Sequence, residues 1–531
     1  MIGLVDHSDS SKTGGKPGGA TPEASVSKSG EKPAQRKVLG VFLLTMINVS
    51  AILSLRAWPG MAPLGFSSAF FWILDAVIFF IPLSLVSAEL ATGWPKTGGV
   101  YIWIREGLGD RWGYLGSWLY WIENVTWFPT VLTFISATAA YAINPTLANN
   151  NVYNFAVILI VFWGTTATNL FGMKASGWIS SVCAALGTIL PAALIIGMAG
   201  FWLGSGHASQ IPFTAQSFFP TVINMTSAVS VTPFSRVWLA FPAFQYLASI
   251  TNFSAVSLAG GLVLYYAGME MSASHAGEVR NPKRDFPKAV LLSTVIVAAI
   301  FILGTLAVAI VVPQQQISLA SGIMQAFQDF LTPYSLGWFI PVLAVLIVVG
   351  TLGQVNSWII GPSKSLMATA LNGDLPPALQ RVNKRMVPTA LLLLQGIIGT
   401  ILSLVYLFVP SVNAGYWFLT IITSQVYSVL YVLMFLAAIR LRYTKPDVQR
   451  AYRIPGGKAG MCFVAGLGIA ASIFGIIIGF VPPTQISFGS TLSYVLPLVI
   501  GVIVACAVPL WAFRYKKPEW VGEAAKLGIE D

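Results

Sequence analysis

The side chains able to do chemistry in this chain are few, and they lie inside apolar sequence. Glu270 and His275 stand in YYAGMEMSASHAGEVRNPKRDFPKA, from Tyr265 to Ala289, which begins as the tail of an apolar run, meets Gly268 and then places a carboxylate. Arg56 stands in NVSAILSLRAWPGMAPLG, with Pro59, Gly60, Pro63 and Gly65 close behind it. Asp75 and Glu123 are two more acids inside apolar runs. Ionisable groups at membrane depth are costly and mark substrate or ion pathways. The chemistry they suggest is binding and charge coupling. Arg56 faces either a substrate carboxylate or a protein carboxylate such as Glu270, and Asp75 and Glu123 can equally serve helix contacts alone. Glu89 reads as interfacial, and His275, one turn past Glu270, as a pH-sensing or a packing residue. H-E-x-x-H, G-x-S-x-G and G-x-x-x-x-G-K-[ST] are all missing, so no enzyme is expected. No cofactor or metal is expected either.

Composition determines which elements hold these residues. The chain has 531 residues, 56% hydrophobic and 9% charged, against about 25% charge in soluble domains. A spanning helix needs about 20 mostly apolar residues. Twelve such runs occur, near 38–63, 67–92, 112–143, 153–171, 176–203, 253–275, 287–312, 335–370, 386–408, 416–441, 459–480 and 491–514. Residues 1–37, rich in Gly, Ser, Lys and Pro, read as a disordered tail, and 518–531 as a short one. Basic residues crowd alternate loops, including Arg280–Lys288 and Arg440–Lys458, which places both termini in the cytoplasm. The formal charge of +11 therefore reflects topology and gives no reason to expect nucleic acid. Cys183, Cys462 and Cys506 lie in apolar runs without paired spacing; they read as core residues.

If spans one to five form a unit and six to ten repeat it, an odd number of crossings inverts the second copy. Repeat one then covers about 38–203 and repeat two about 253–442, with helices eleven and twelve (about 459–514) appended, all in one domain from 38 to 517. Spans one and six, the matching members, both carry glycines or prolines beside a charge. A helix interrupted in the membrane frees backbone groups, which is tolerable only beside a cavity or ligand. Restarting half-helices offer N–H groups to a carboxylate, and freed carbonyls suit an ammonium. Two facing breaks suit a zwitterionic amino acid.

GMEMSASHAGEVRNPKRDFPKAV, ELATGWPKTGGVYIWIREGLGDRWGYLGSW and GPSKSLMATALNGDLPPALQRVNKRMVP together resemble the amino acid–polyamine–organocation superfamily, from about Val38 to Lys517. The resemblance implies an all-α integral membrane protein of about twelve transmembrane helices, with a LeuT-type 5+5 inverted repeat and broken helices 1 and 6. FFIPLSLVSAELAT, NPKRDFPKAVLLS, SWIIGPSK and YRIPGGK are most similar to bacterial glutamate/GABA antiporters. That implies proton-consuming exchange of an acidic amino acid for its decarboxylation product, by alternating access, in a bacterial inner membrane.

Carried onto matching positions, the substrate site would comprise Ser50, Ala51, Ile52 and Arg56 of span one, Trp121 and Asn124 of span three, and Gly268 and Glu270 of span six. Gln354 and Trp358 of span eight and Tyr427 and Tyr431 of span ten complete it. Glu270, Glu123 and His275 are the coupling or gating candidates. Two departures bear on substrate: the family pattern has Glu where Gln354 stands, and its tyrosine-rich span-one motif is replaced by SLRAWP. Amino acids, the lipid bilayer and protons are the expected partners, with a homodimer open. The rival readings are a proton-coupled permease for neutral or cationic amino acids and, from another class, an ion channel.

Overall fold

The computed structural model describes residues 40–94, 99–170, 185–219, 257–270, 279–384 and 387–521. Every regular element among them is a helix. Ten helices are long and apolar enough to cross a membrane: Ser67–Gly93, Asp110–Ile143, Asn151–Leu170, Leu186–Gly204, Lys283–Val311, Gly337–Met367, Thr389–Phe408, Val412–Thr444, Gly457–Ile478 and Thr491–Phe513. They are spans two to five and seven to twelve. The two remaining apolar helices, Val41–Ser50 and Ser257–Tyr266, are shorter and are the intact parts of spans one and six. The sequence-based boundaries match to within a few residues where they fall on described residues; the expected start of span five and both expected ends of span six lie outside them.

Span one stops at Ile52, passes through an extended Leu53, and restarts as Ala57–Met61 followed by the tight turn Ala62–Leu64. Span six runs through Ser257–Gly261 and Leu262–Tyr266, and Ala267 is then extended. Gly268 follows with φ +112°, a conformation that suits glycine because it has no Cβ. Both interruptions fall where the sequence places them. Span two is irregular as well: after Asp75 it makes a π-helical turn, Ala76–Phe80, a feature that recurs at functional sites. Phe80 stacks on Tyr266 at 4.9 Å, and Phe79 meets Tyr431 edge-on at 5.3 Å.

Local signals account for several helix starts. The Ser411 side chain accepts from the Ala414 N–H at the start of span ten, and Ser490 and Ser493 form a capping box at span twelve. In the NPKRD stretch, Pro282 occupies the first turn of span seven and the Asp285 carboxylate accepts from the Asn281 N–H at 3.1 Å. That motif therefore does local work as a helix start.

Two helices escape a search for spanning runs. Val100–Leu108 packs between spans three and ten, and a Cβ on Gly107 would lie 2.8 Å from the Ala437 backbone. Gly322–Leu331 is amphipathic, with Ile323, Met324, Ala326, Phe327, Phe330 and Leu331 buried. Both are too short to span and too apolar on one face to be loops. Glu89 requires a correction. It is 2% exposed and paired with Arg442 and Arg450, so it is interior.

The restarted part of span one is held by Trp58, which is fully buried and lies over Gly304 of span seven. A Cβ at residue 304 would come within 2.3 Å of the indole. Gly304→Val is expected to destabilise the protein by about 1–3 kcal/mol through overpacking. The check is the melting temperature in detergent, and an unchanged value would mean the indole has room to move.

Candidate functional site

The two helix breaks meet spans three, eight and ten around a partly open cavity of about 50 Å³. Span one contributes Ile52, Ser54 and Arg56; span three Glu123, Asn124 and Trp127; span six Leu264, Tyr265 and Ala267. Gln354 and Trp358 come from span eight and Tyr427 from span ten.

Arg56 is 4% exposed. Its Nη1 donates to Thr130 Oγ1 at 3.2 Å, and the guanidinium lies 5.4 Å from the centre of the Trp127 ring. The Arg56 carbonyl accepts from the Tyr416 hydroxyl at 3.4 Å. Its Nε is buried without a partner. Among the described residues no carboxylate lies within ion-pair distance of it. A guanidinium cannot shed its proton to escape burial, so this cation is under-compensated.

Glu270 does not pair with Arg56, because span ten occupies it. Tyr427 donates a short hydrogen bond to Oε1, and Tyr431 donates to Oε2 at 3.1 Å. The two rings stack at 4.6 Å and 13°, as residues one helical turn apart can. The Gly268 N–H donates to the Tyr431 hydroxyl at 3.4 Å. One tyrosine thereby ties the glycine break and the carboxylate to the same helix.

Other polar atoms at the cavity are unused. Glu123 Oε1, Asn124 Oδ1 and the Tyr265 hydroxyl are buried without partners. Tyr265 lies over Gly60, where a Cβ would be 2.3 Å from its oxygen. Trp127 and Trp358 face each other at 5.9 Å.

Of the residues expected at the site, Ile52, Arg56, Glu123, Asn124, Gln354, Trp358 and Tyr427 line the cavity. Glu270, Gly268 and Tyr431 stand directly behind it. Ser50 is not brought there: it is exposed, and its hydroxyl donates to the Ile47 carbonyl. Ala51 sits in the last turn of the same helix. Trp121 is also apart, packed on Trp118 with its Nε1 donating to Ser363 at 3.3 Å. His275 lies outside the described residues. Asp75 is buried away from the cavity with Oδ2 unpartnered. Ser54 lies within the Ser50–Arg56 stretch expected to supply contacts; Trp127, Leu264, Tyr265 and Ala267 were not anticipated. Trp127 was within reach of helical spacing, since it follows Glu123 by four residues on the same face.

A family model for amino acid permeases matches residues 39–505. An uncharacterised transporter of Legionella pneumophila is 43% identical over 484 residues, covering 91% of this chain and 98% of its own. A glutamate/gamma-aminobutyrate antiporter of Lactococcus lactis is 31% identical over 485 residues, covering 90% of this chain and 91% of its own. A probable agmatine/putrescine antiporter of Lactococcus lactis is 24% identical over 465 residues, covering 86% and 91%.

The Tyr431–Glu270 contact can be tested without knowing the substrate. Removing the hydroxyl leaves a buried acceptor unmet, at a cost of about 1–3 kcal/mol. Tyr431→Phe and Glu270→Gln should each destabilise the protein, and together by less than the sum, with a coupling of about 0.5–3 kcal/mol. Unfolding free energies of the single and double variants measure this, and strict additivity would remove the contact from the site's framework.

Proposed function

We propose that this chain, which belongs to the amino acid permease family, exchanges an acidic amino acid for its decarboxylation product. It is a multi-pass membrane transporter and not an enzyme. The observation that carries this reading is Arg56: a buried, permanently charged guanidinium with no carboxylate partner among the described residues, on the wall of a cavity between two broken helices. A substrate carboxylate is the natural counter-charge for it. The name of the Lactococcus lactis glutamate/gamma-aminobutyrate antiporter agrees with such a substrate.

In this reading the substrate carboxylate lies against Arg56 and Trp127, and the ammonium is drawn to the unpartnered oxygens of Glu123 and Asn124. Trp358 and Tyr427 line the same cavity and would contact a bound substrate. Tyr427 also holds Glu270, so displacing it transmits occupancy to the broken half of span six. Alternating access would follow from that coupling, with Glu270 and Glu123 as proton carriers and both termini in the cytoplasm. A dicationic substrate, as named for the agmatine/putrescine relative, would place positive charge beside Arg56. The buried guanidinium, with no carboxylate within ion-pair distance among the described residues, argues against it.

Counterflow in proteoliposomes with a panel of acidic, neutral and cationic amino acids, across pH and with or without sodium, tests the exchange pair. An acidic amino acid and its decarboxylation product are expected to drive uptake, independently of sodium and more strongly at low pH. Uptake driven by cationic or neutral amino acids alone would overturn the proposal.

Arg56→Ala addresses the binding mode. It should weaken binding of the acidic substrate by roughly 2–5 kcal/mol, the scale for truncating a buried charge partner, and leave neutral analogues within a few-fold. Equal loss for both classes, measured by isothermal titration, would assign Arg56 to the scaffold.

A further inference from the structure

Far from the cavity along span ten, one carboxylate and two guanidiniums are buried together. Glu89 of span two meets Arg442 of span ten at 3.1 Å and Arg450 of the following segment at 3.5 Å, with side chains 2%, 3% and 0% exposed. Glu89 Oε2 also accepts from the Ile454 N–H at 2.7 Å, and Arg442 donates to the Ile454 carbonyl at 2.7 Å. Arg450 donates to the carbonyls of Leu441 and Lys445, both at 3.0 Å. Those oxygens belong to the carboxyl end of span ten, whose dipole is negative. The second positive charge is thus offset by backbone oxygens. Arg450 lies over Trp94 at 5.2 Å and runs past Gly93, where a Cβ would be 3.1 Å from its own Cγ.

This cluster is poorly built as a stabiliser. Arg442 Nε, Arg450 Nε and Arg450 Nη1 have no hydrogen-bond partner, and burying charges with donors unmet costs much of what the attraction returns. It is well built to be in one of two states. Closed, every charge is dry; open, water solvates all three. Its position also matters. Arg442 follows Tyr431 by eleven residues on one unbroken helix, about 16 Å at 1.5 Å per residue. Span two likewise carries both Glu89 and Phe79, the ring set against Tyr431. Lys445 further fastens the end of span ten to Glu106 of the helix Val100–Leu108.

We propose that the Glu89–Arg442–Arg450 cluster is a latch that holds the basic ends of spans two and ten together in the arrangement seen here, and that exchange requires it to part. Because spans two and ten also carry the rings around Glu270, the latch and the tyrosine clamp move as parts of the same two rods. Glu89 is the only negative group in the latch, so its loss leaves two guanidiniums uncompensated and favours the wetted, parted state.

The full-length protein in proteoliposomes provides the test, with the amino acid that drives the strongest counterflow as the probe. Glu89→Gln should raise the ratio of efflux without counter-substrate to exchange by about tenfold or more, the scale set by breaking a buried pair. This ratio is independent of how much protein folds. Deuterium uptake should rise in segments 85–94 and 435–445. Arg450→Gln, which leaves a neutral Glu89–Arg442 pair, should raise the ratio at least about threefold less than Glu89→Gln. Should Glu89→Gln fail to fold, Glu89→Asp keeps the charge but shortens its reach, and an intermediate leak is expected. A wild-type ratio with wild-type uptake in the acid variant, or equal effects of the Glu89 and Arg450 variants, would overturn the latch. Should wild-type protein show no counterflow at all, the exchange reading fails, and deuterium uptake alone then decides the latch.

Discussion

Glu270 is held through both of its oxygens by two stacked tyrosines of span ten, and the central geometry depends on that clamp. Span six cannot continue as a helix through Ala267 and Gly268, so its chain direction there is not set by its own ladder of hydrogen bonds. The Tyr431 hydroxyl supplies what the ladder cannot: it takes the Gly268 N–H and gives its own proton to Glu270. The tyrosines in turn are fixed by Phe79 from the π-helical turn of span two and by Tyr120 of span three, 6.4 Å from Tyr427. A break in one helix is thus given a defined shape by three others.

Buried charge falls into two kinds. At the basic end of spans two and ten, Glu89 meets two guanidiniums and a backbone N–H. At the centre, Arg56 has a hydroxyl and an aromatic face but no acid, while Glu123 keeps an unused oxygen on the same cavity wall. The first arrangement pairs its charges with one another, though not every donor is met. The second leaves an unpaired guanidinium and an unused carboxylate oxygen on the lining of one cavity. Desolvation sharpens this difference, since opposite charges attract more strongly where water is excluded.

Much of the architecture was legible because the relevant signals are local. Twenty-residue apolar runs gave the spans, and Pro59, Gly60 and Gly268 beside Arg56 and Glu270 gave the breaks. The helix Gly322–Leu331 was not legible by that route, since its ten residues are amphipathic and no apolar run marks it. Lateral partners were harder. Glu89 lies toward the end of its span, which suggests an interfacial carboxylate, but its guanidiniums come from residues 442 and 450, far away in sequence. Helical phase explains the aromatic side of the site as well. Trp121 and Trp127 both stand in span three, six residues apart, and so point to different sides; the family pattern favoured the first, and the cavity is lined by the second.

The two departures from the glutamate/GABA pattern fall on the same wall-to-wall axis. Gln354 and Arg56 both line the cavity, so an amide stands where the pattern has an acid and a guanidinium stands where it has tyrosines. Each change makes the cavity more positive. The excess is not cancelled by Glu270, whose oxygens are engaged by hydroxyls. Of the acids near the cavity, Glu123 is the one with an oxygen to spare. No carboxylate among the described residues pairs with Arg56, so the guanidinium and the amide of Gln354 are the groups this cavity offers to negative charge.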